Sequence, residues 1–599
     1  MRPRIALSVA VISVFSIVAT LRAEDASKTV QSAATPAPIV VDLAIKGSLS
    51  EAPLSIGFDG KTIGENLQGL VERLSKAKAD PAVKGLVLRI RSLSAGRAKI
   101  EDLRRAVLDF RSSGKPVHAL LEAPGNAEYL LAAAADEIVM AESDTLMLKG
   151  LAAEVTFYKG LFDKLGIVAD WMQVGKFKSY GEPYTRTSMS PAFRQEMTEL
   201  LSDSYAQMAE MIAARQGIDV DAAKTLIDGG PYTAASAKAA GLISRIAYAD
   251  QVEAELKRSL GLPKLVLEKK YGKSTEKVDY SGFAGFMRMM SALSGDAPKK
   301  AASKAPKVAL IHASGSIMTG KSSGAGLLGE ATMGSDTIIE ALRKAEADAT
   351  VKAIVLRVDS PGGSALASDL IWREVVRIEK PIVASMSDVA ASGGYYISMG
   401  CDKVYAQSST ITGSIGVTGG KIVVGGLLEK AGVTTDTIHV GKNGTLLSPF
   451  SRFSEAEKSA MQKMMDETYR QFVTKAAAGR KRSFDDVEKH AGGRVYTGRQ
   501  AKALGLVDEV GSLADALASA RELGGISSEK ESEILVLPEP QGLLESLLGP
   551  LEGLDGLGAE LGIVAPDAAI AALRRVRLIQ SLLEREPVLV IMPFDIRIE

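Results

Sequence analysis

Histidine and cysteine, the side chains that most often carry out chemistry, are scarce here: four and one in 599 residues. A lone cysteine cannot form an internal disulfide. Cys401 follows an apolar stretch in "SMGCDKVYA" and reads as a small, inert, buried residue. Without a Cys/His cluster no zinc site is expected, and no cofactor motif stands in for one. Charge of one sign is also missing, because 72 Lys+Arg balance 72 Asp+Glu. No global field draws a polyanion, and no basic stripe is interleaved with aromatics, so nucleic acid is not an expected partner.

The composition, 46% hydrophobic and 24% charged, is that of a globular chain, and 599 residues are too many for one core. The N-terminus reads "MRPRIALSVAVISVFSIVATLRAEDASK": two arginines, an apolar run from Ile5 to Leu21, then polar residues. That order is a signal for export. The run is long for a cleaved signal and short for a comfortable span, so residues 1–23 read as a signal peptide or a retained signal anchor. Either way the positive-inside rule sends the rest of the chain across the inner membrane to its periplasmic, extracytoplasmic side.

Two halves of the chain repeat one another. "DPAVKGLVLRIRSLSAG" from Asp80 returns as "DATVKAIVLRVDSPGGS" from Asp348, and "KGLFDKLGIVADWMQVGKFKS" answers "GGLLEKAGVTTDTIHVGKNGT". A period of about 266 residues is too long for a solenoid and indicates a duplicated domain. The expected boundaries are 38–270 and 305–530, joined by an Ala/Lys/Pro-rich linker over 271–304. Within each half, apolar runs such as "GLVLRI" and "AIVLRV" do not alternate with polar residues, which suits strands covered on both faces, and helical patterns separate them. The expected class is α/β with a largely parallel sheet, whose function gathers at loops leaving the carboxyl ends of the strands. "DSPGGS" and "AASGG" both fall there.

Ser392, in "DVAASGGYYISMG", is a candidate nucleophile. The candidate oxyanion donors are the Gly393 N–H and that of Gly362 or Gly363 in "VDSPGGS". No histidine is an attractive base. His118 and His312 lie in apolar strand patterns, His439 in a strand-like run and His490 in a polar helix. A lysine remains, provided burial lowers its pKa. The repeat points to one. Ser392 falls opposite Asn126, and "PGG" opposite Leu93–Ala95, so the first half lacks both features. Conversely Lys178 falls opposite Gly444, while Lys176 pairs with Lys442. If an ancestral single domain carried both, each copy has kept one member of a serine–lysine pair; the alternative is a lone surface lysine and ordinary drift between the copies.

With "VGKFKSYGEPYTRTSMSPAFRQ", "VLRVDSPGGSALAS", "SDVAASGGYYISMG", "STITGSIGV" and "VYTGRQAKALGLVDEVG", the chain from about 40 to 525 resembles the signal peptide peptidase A (protease IV) family in its long, duplicated form. The resemblance implies two tandem ClpP/crotonase-like domains and a serine endopeptidase with a Ser–Lys dyad, Ser392 as nucleophile and Lys178 as base. Ser414 in "TGSIGV" matches the hydroxyl that holds the amine, with Leu148 opposite it in the first half, and Gly362 and Gly393 match the oxyanion donors. It further implies peptide substrates, chiefly cleaved signal peptides, a homotetramer, and no cofactor. The rival readings are a crotonase-like acyl-CoA enzyme and an inactive membrane-associated scaffold. The extension over 541–599 carries no motif of the family; subunit packing is the expectation for it, with membrane-surface contact second.

Overall fold

The computed structural model describes residues 38–51, 66–261, 264–273, 303–323, 332–527, 532–539 and 588–592. The N-terminal export segment, most of the linker and most of the C-terminal extension lie outside them. Among the described residues, no helix is long and apolar enough to cross a membrane.

The duplication is visible in the strand order. In the first half six parallel strands run Arg245–Ile246, Glu137–Met140, Val117–Glu122, Val83–Ser94, Ile39–Ser48, Leu267–Glu268. The second half repeats this order with Glu509–Val510, Lys403–Ala406, Ile382–Ala391, Val351–Ser360, Lys307–Ser314 and Glu533–Leu537. Its last strand lies just past the boundary read at 530. Two more strands, Ile411–Gly413 and Val495–Thr497, extend the second sheet beside the carboxyl end of Ile382–Ala391.

The unalternating apolar runs are strands with a core on each face. In Val351–Ser360, Ile354, Leu356 and Val358 pack into one cluster while Ala353 and Val355 pack into another. Leu86, Leu88 and Ile90 are divided from Val87 in the same way in the first half. Burial on both faces is what a parallel sheet sandwiched by helices requires.

A third sheet joins the halves. Val168–Val174 of the first half pairs antiparallel with Val417–Val423 of the second, from Val174 opposite Val417 to Val168 opposite Val423. The same sheet holds Gly362–Ser364 and, from the C-terminal extension, Val588–Ile591. A long first-half helix, Pro191–Gln216, also reaches across. Ser190 caps it by accepting the Phe193 N–H, Pro191 fills its first turn, and Gly217 ends it in the left-handed conformation. Its Leu200 packs with Ala391, Ile411 and Val495 of the second half.

Beneath these contacts lies a buried ion network. Arg357, with no exposed surface, donates to Glu51 at 2.9 and 3.1 Å and to Asp102 at 2.7 Å, both on the first half. Ser387 also donates to Glu51. Burial pushes the Glu51 carboxyl up, but the charge and hydrogen bonds of Arg357 outweigh it and hold Glu51 at about 2. For Asp102 burial prevails over the same guanidinium, and its pKa is raised. Lys99 of the first half reaches Asp359 at 2.7 Å and Asp388 at 3.1 Å in the second.

Candidate active site

The strand Ile382–Ala391 delivers Ser392 at its carboxyl end, as a parallel sheet delivers functional loops. Ser392 sits at φ 55° and ψ −113°, and the helix Gly393–Ser398 starts immediately after it. Such a conformation is costly for a residue with a Cβ and persists only where the surroundings impose it. Here the Ser392 N–H donates to Gly413 O at 2.8 Å, and its carbonyl accepts from the Tyr396 N–H at 2.8 Å.

The joining sheet delivers the lysine. Beyond Val174 the chain turns at Gly175 and carries Lys178 under the second half. Lys178 has no exposed surface, and neither have Ser392 and Ser414. Its Nζ lies 2.7 Å from Ser392 Oγ, and donates to the Ser414 carbonyl and to Ser414 Oγ, each at 2.9 Å. Burial lowers the Lys178 pKa well below its ordinary value, against a small opposing pull from Glu196. Burial thus shifts the balance toward a neutral amine beside a serine hydroxyl, the form in which the serine O–H can donate to nitrogen.

The Glu196 carboxyl near this lysine is itself shifted toward its protonated form. Burial pushes its carboxyl up to about 8, despite the Val495 N–H donated to it at 2.7 Å. The four histidines are engaged elsewhere. His118 is 3.1 Å from Glu137 and His312 Nε2 is 3.4 Å from Gln68, while His439 lies exposed, 3.2 Å from the Gly441 carbonyl and in no strand. His490 follows the short helix Phe484–Glu488, and its carbonyl accepts from Tyr496 Oη. Cys401 is buried, and burial raises its pKa away from thiolate chemistry.

Gly362 and Gly393 meet beside Ser392. Gly362 has φ +99°, and a methyl group there would fall 2.6 Å from Gly393 N and 3.1 Å from Ser392 Cβ. The Gly362 N–H rests on Ser360 Oγ at a long 3.2 Å. The backbone nitrogens of Gly362 and Gly393 thus both lie close to Ser392. No group of His, Cys, Asp and Glu that could hold a metal occurs among the described residues.

The structure brings together all five singled-out residues, Ser392, Lys178, Ser414, Gly362 and Gly393. It adds residues that the sequence reading passed over. Gly493 lets the lysine loop lie close, since a methyl there would fall 2.6 Å from Lys178 N, and Phe177 N–H donates to Gly492 O at 2.9 Å. Paired glycines at "HAGGRVY" were the available signal. Glu196, inside a long helix, gave none.

The model of peptidase family S49 matches twice, over residues 109–262 and 374–527, once in each half. The chain belongs to that family. It is a serine peptidase with an internally repeated α/β architecture. It is 34% identical to the chloroplastic serine protease SPPA of Arabidopsis thaliana over 88% of this chain and 76% of that one. It is 33% identical to protease 4 of Salmonella typhi over 78% and 74% of the two chains, and 32% identical to protease 4 of Haemophilus influenzae over 76% and 72%. A ClpP1 mutant from Listeria monocytogenes aligns with TM-score 0.24 and 16% identity, over 35% of this chain and 94% of its own.

Proposed function

We propose that this peptidase is an endopeptidase working through a Ser392–Lys178 dyad on extended, apolar peptides released from membranes, cleaved signal peptides above all. The observation that carries the reading is the buried contact of Lys178 Nζ with Ser392 Oγ at 2.7 Å. Neutral Lys178 takes the Ser392 proton as the hydroxyl attacks the scissile carbonyl. The N–H groups of Gly393 and Gly362 receive the oxyanion, and Ser414 holds the lysine amine through the transfer. Lys178 then gives its proton to the leaving amine, and water attacks the acyl-serine with Lys178 again taking the proton.

The domain assignment belongs to the same proposal. The unit from 38 to 270 supplies the base and the unit from 305 to 530 the nucleophile, so one copy alone is incomplete. Residues 1–23 anchor the enzyme in the inner membrane or guide it across, with the catalytic halves on the periplasmic side.

Assembly into a ring, a homotetramer by the family resemblance, draws support from the repeat. The first-half strand Val168–Val174 has its counterpart at 434–440, which is fully exposed and in no strand, with Ile438 and Val440 at 94% and 95% exposure. The counterpart of Val417–Val423 is 151–157, which alternates in burial and pairs with no strand among the described residues. Each chain therefore offers one free edge of each kind, and head-to-tail pairing of copies closes into a ring.

The test is labelling with a fluorophosphonate, followed by peptide mapping. Modification at Ser392, absent from Ser392→Ala, with loss of peptide hydrolysis in the same variant, is the expected result. Hydrolysis retained by folded Ser392→Ala would overturn the assignment, and a folded wild type that neither labels nor hydrolyses would favour the scaffold.

A further inference from the structure

The turns that carry Gly362 and Ser392 leave neighbouring strands, Val351–Ser360 and Ile382–Ala391. Asp359 stands just before the first turn and Asp388 shortly before Ser392. The two strands pair regularly from Ile354 opposite Ile382 to Val358 opposite Met386, and then the register shifts so that Ser360 lies opposite Ala390. Both carboxylates sit at this irregular end, with side chains only 19% and 16% exposed. Like charges in so dry a place drive the strand ends apart unless a cation lies between them.

That cation comes from the first half. Lys99 stands in the first turn of the helix Arg97–Arg111, and its Nζ lies 2.7 Å from Asp359 Oδ2 and 3.1 Å from Asp388 Oδ2. The Lys99 N–H donates to Asp388 Oδ1 at 3.1 Å, and the Val389 N–H donates to Asp359 Oδ1 at 3.2 Å. Each carboxylate thus has one oxygen on the ammonium and the other on a backbone N–H. Gly96, just ahead of the helix, permits the approach, because a methyl there would overlap the Asp388 carboxyl. Burial opposes the charge on Lys99, but Asp359, Asp388 and Glu51 outweigh it and raise its pKa. For Asp359 burial, with Asp388 and Glu51, prevails over Lys99 and holds the carboxyl at about 6.

The repeat shows what this arrangement replaces. Asp359 falls opposite Arg91, and Arg91 is paired across its own strands with Glu122, Nη1 to Oε2 at 3.0 Å. The first half therefore closes the same strand ends with opposite charges of its own. The second half, which holds Ser392, has two like charges there and takes its cation from the other copy. It has no lysine to match, since Lys99 falls opposite Ala367.

We propose that Lys99 is a positioning residue for peptide hydrolysis: by drawing Asp359 and Asp388 together it sets the distance between the Gly362 turn and Ser392. The first half would then supply two lysines, Lys178 to move the proton and Lys99 to hold the nucleophile against its oxyanion turn. The proposal rests on the dyad and oxyanion reading above. The spacing at stake is small, for a methyl on Gly362 would already fall 3.1 Å from Ser392 Cβ. A misplacement of about 1 Å costs about 100-fold in rate, and it falls on the transition state rather than on substrate binding.

The experiment uses the full chain and a fluorogenic peptide. Lys99→Met keeps the side-chain stem and removes the charge. It is expected to lower kcat about 100-fold with KM within about threefold of wild type, and to slow fluorophosphonate labelling of Ser392 in proportion. Removing one carboxylate as well should relieve the repulsion, so Lys99→Met/Asp359→Asn should regain at least about tenfold over Lys99→Met. The pH dependence gives a third readout. Without Lys99 the Asp359 carboxyl titrates above about 6, because Lys99 is what lowers it. At lower pH one carboxyl is protonated and the ends close; at higher pH both are charged. The ratio of wild-type to Lys99→Met kcat/KM should therefore grow from pH 6 to 9, and the titration of Lys178, common to both, cancels in it. A folded Lys99→Met within about threefold of wild-type kcat would overturn the proposal. So would a defect that ignores pH and is not relieved by Asp359→Asn, which is the signature of lost packing. Should repulsion keep Lys99→Met from folding, the double variant decides: it folds and hydrolyses on the proposal, and an unfolded or inactive double variant overturns it. Absence of Ser392 labelling in the wild type would instead overturn the dyad.

Discussion

Ser414→Ala isolates one contact in the dyad, and its effect can be worked out from the geometry. Lys178 Nζ has three neighbours: Ser392 Oγ at 2.7 Å, and the carbonyl and hydroxyl of Ser414 at 2.9 Å each. Removing the hydroxyl leaves the carbonyl to hold the amine. While the lysine is neutral the lost bond is an ordinary one, about 0.5–1.5 kcal/mol, but once Lys178 has taken the proton the bond is charge-assisted, about 1.5–3 kcal/mol. The difference, about 1–1.5 kcal/mol, falls on the transition state, and about 1.4 kcal/mol is tenfold in rate. The expectation is a roughly tenfold loss of kcat with KM nearly unchanged. The pH profile provides a second readout. Ser414 Oγ favours the ammonium form, so its removal lowers the Lys178 pKa further, and the rising limb of kcat/KM moves to lower pH. Steady-state hydrolysis of a fluorogenic peptide across pH 5–10 measures both. Wild-type rates within twofold, or a limb displaced to higher pH, would show that the hydroxyl does not support the base.

Three further outcomes are expected. Lys178→Met should abolish hydrolysis yet melt no lower than wild type at pH 7. The folded pKa of Lys178 is depressed, so the unfolded chain binds the extra proton from that value up to the ordinary lysine value, and the variant escapes this penalty; a clearly lower melting temperature would contradict it. Gly362→Ala should lower kcat by about 100- to 1000-fold, because the methyl falls on Gly393 N and Ser392 Cβ, and near-normal turnover would exclude Gly362 from the oxyanion site. Arg357→Met should cost about 3–5 kcal/mol at pH 7 by stranding two buried carboxylates. In the wild type Glu51 stabilises the fold fully above its ordinary value of 4.5 and loses this contribution as pH falls toward about 2. In the variant both carboxyls gain from protonation, so the deficit should shrink between pH 7 and 5, and thermal melts showing the same deficit at both would refute the assignment.

Much of the site was legible because the two copies differ where it matters. The strand cores repeat closely enough to set a register, and within it Ser392 and Lys178 each stand against a residue that cannot do the same work. What escaped the reading was set by contact between the copies. Arg357 lies in "VLRVDS", where a charged residue reads as a solvent-facing position, yet its partners Glu51 and Asp102 come from the other half. The extension was read for packing at the rim of an assembly or at a membrane. Its described residues, 588–592, include a strand of the joining sheet. "PVLVIMP" carried a usable signal, since a β-branched run bounded by two prolines marks a strand with little room for further neighbours along the chain. No local pattern could say which sheet it enters, because that sheet is built from both halves.

In the proposed dyad, base and nucleophile come from different copies, so the chemistry depends on an interface. Lys178 is costly to bury, and its loop is supported by the seven-residue pairing of Val168–Val174 with Val417–Val423 and by the turn at Gly492–Gly493. A first half without its partner would leave Lys178 in water, protonated and useless as a base. A second half without its partner would keep a strained Ser392 with nothing to take its proton. On that proposal, activity requires the arrangement in which Leu200 packs on Ala391 and Arg357 pairs with Glu51 and Asp102. The same joining sheet takes in Val588–Ile591, whose Leu589 and Ile591 pack against Trp171 and Tyr180 of the first half and lie opposite Thr418 and Gly362 of the second. On the proposed dyad, base and nucleophile come together through one docking of the two halves, so a chain with its halves apart has no means to cut a peptide.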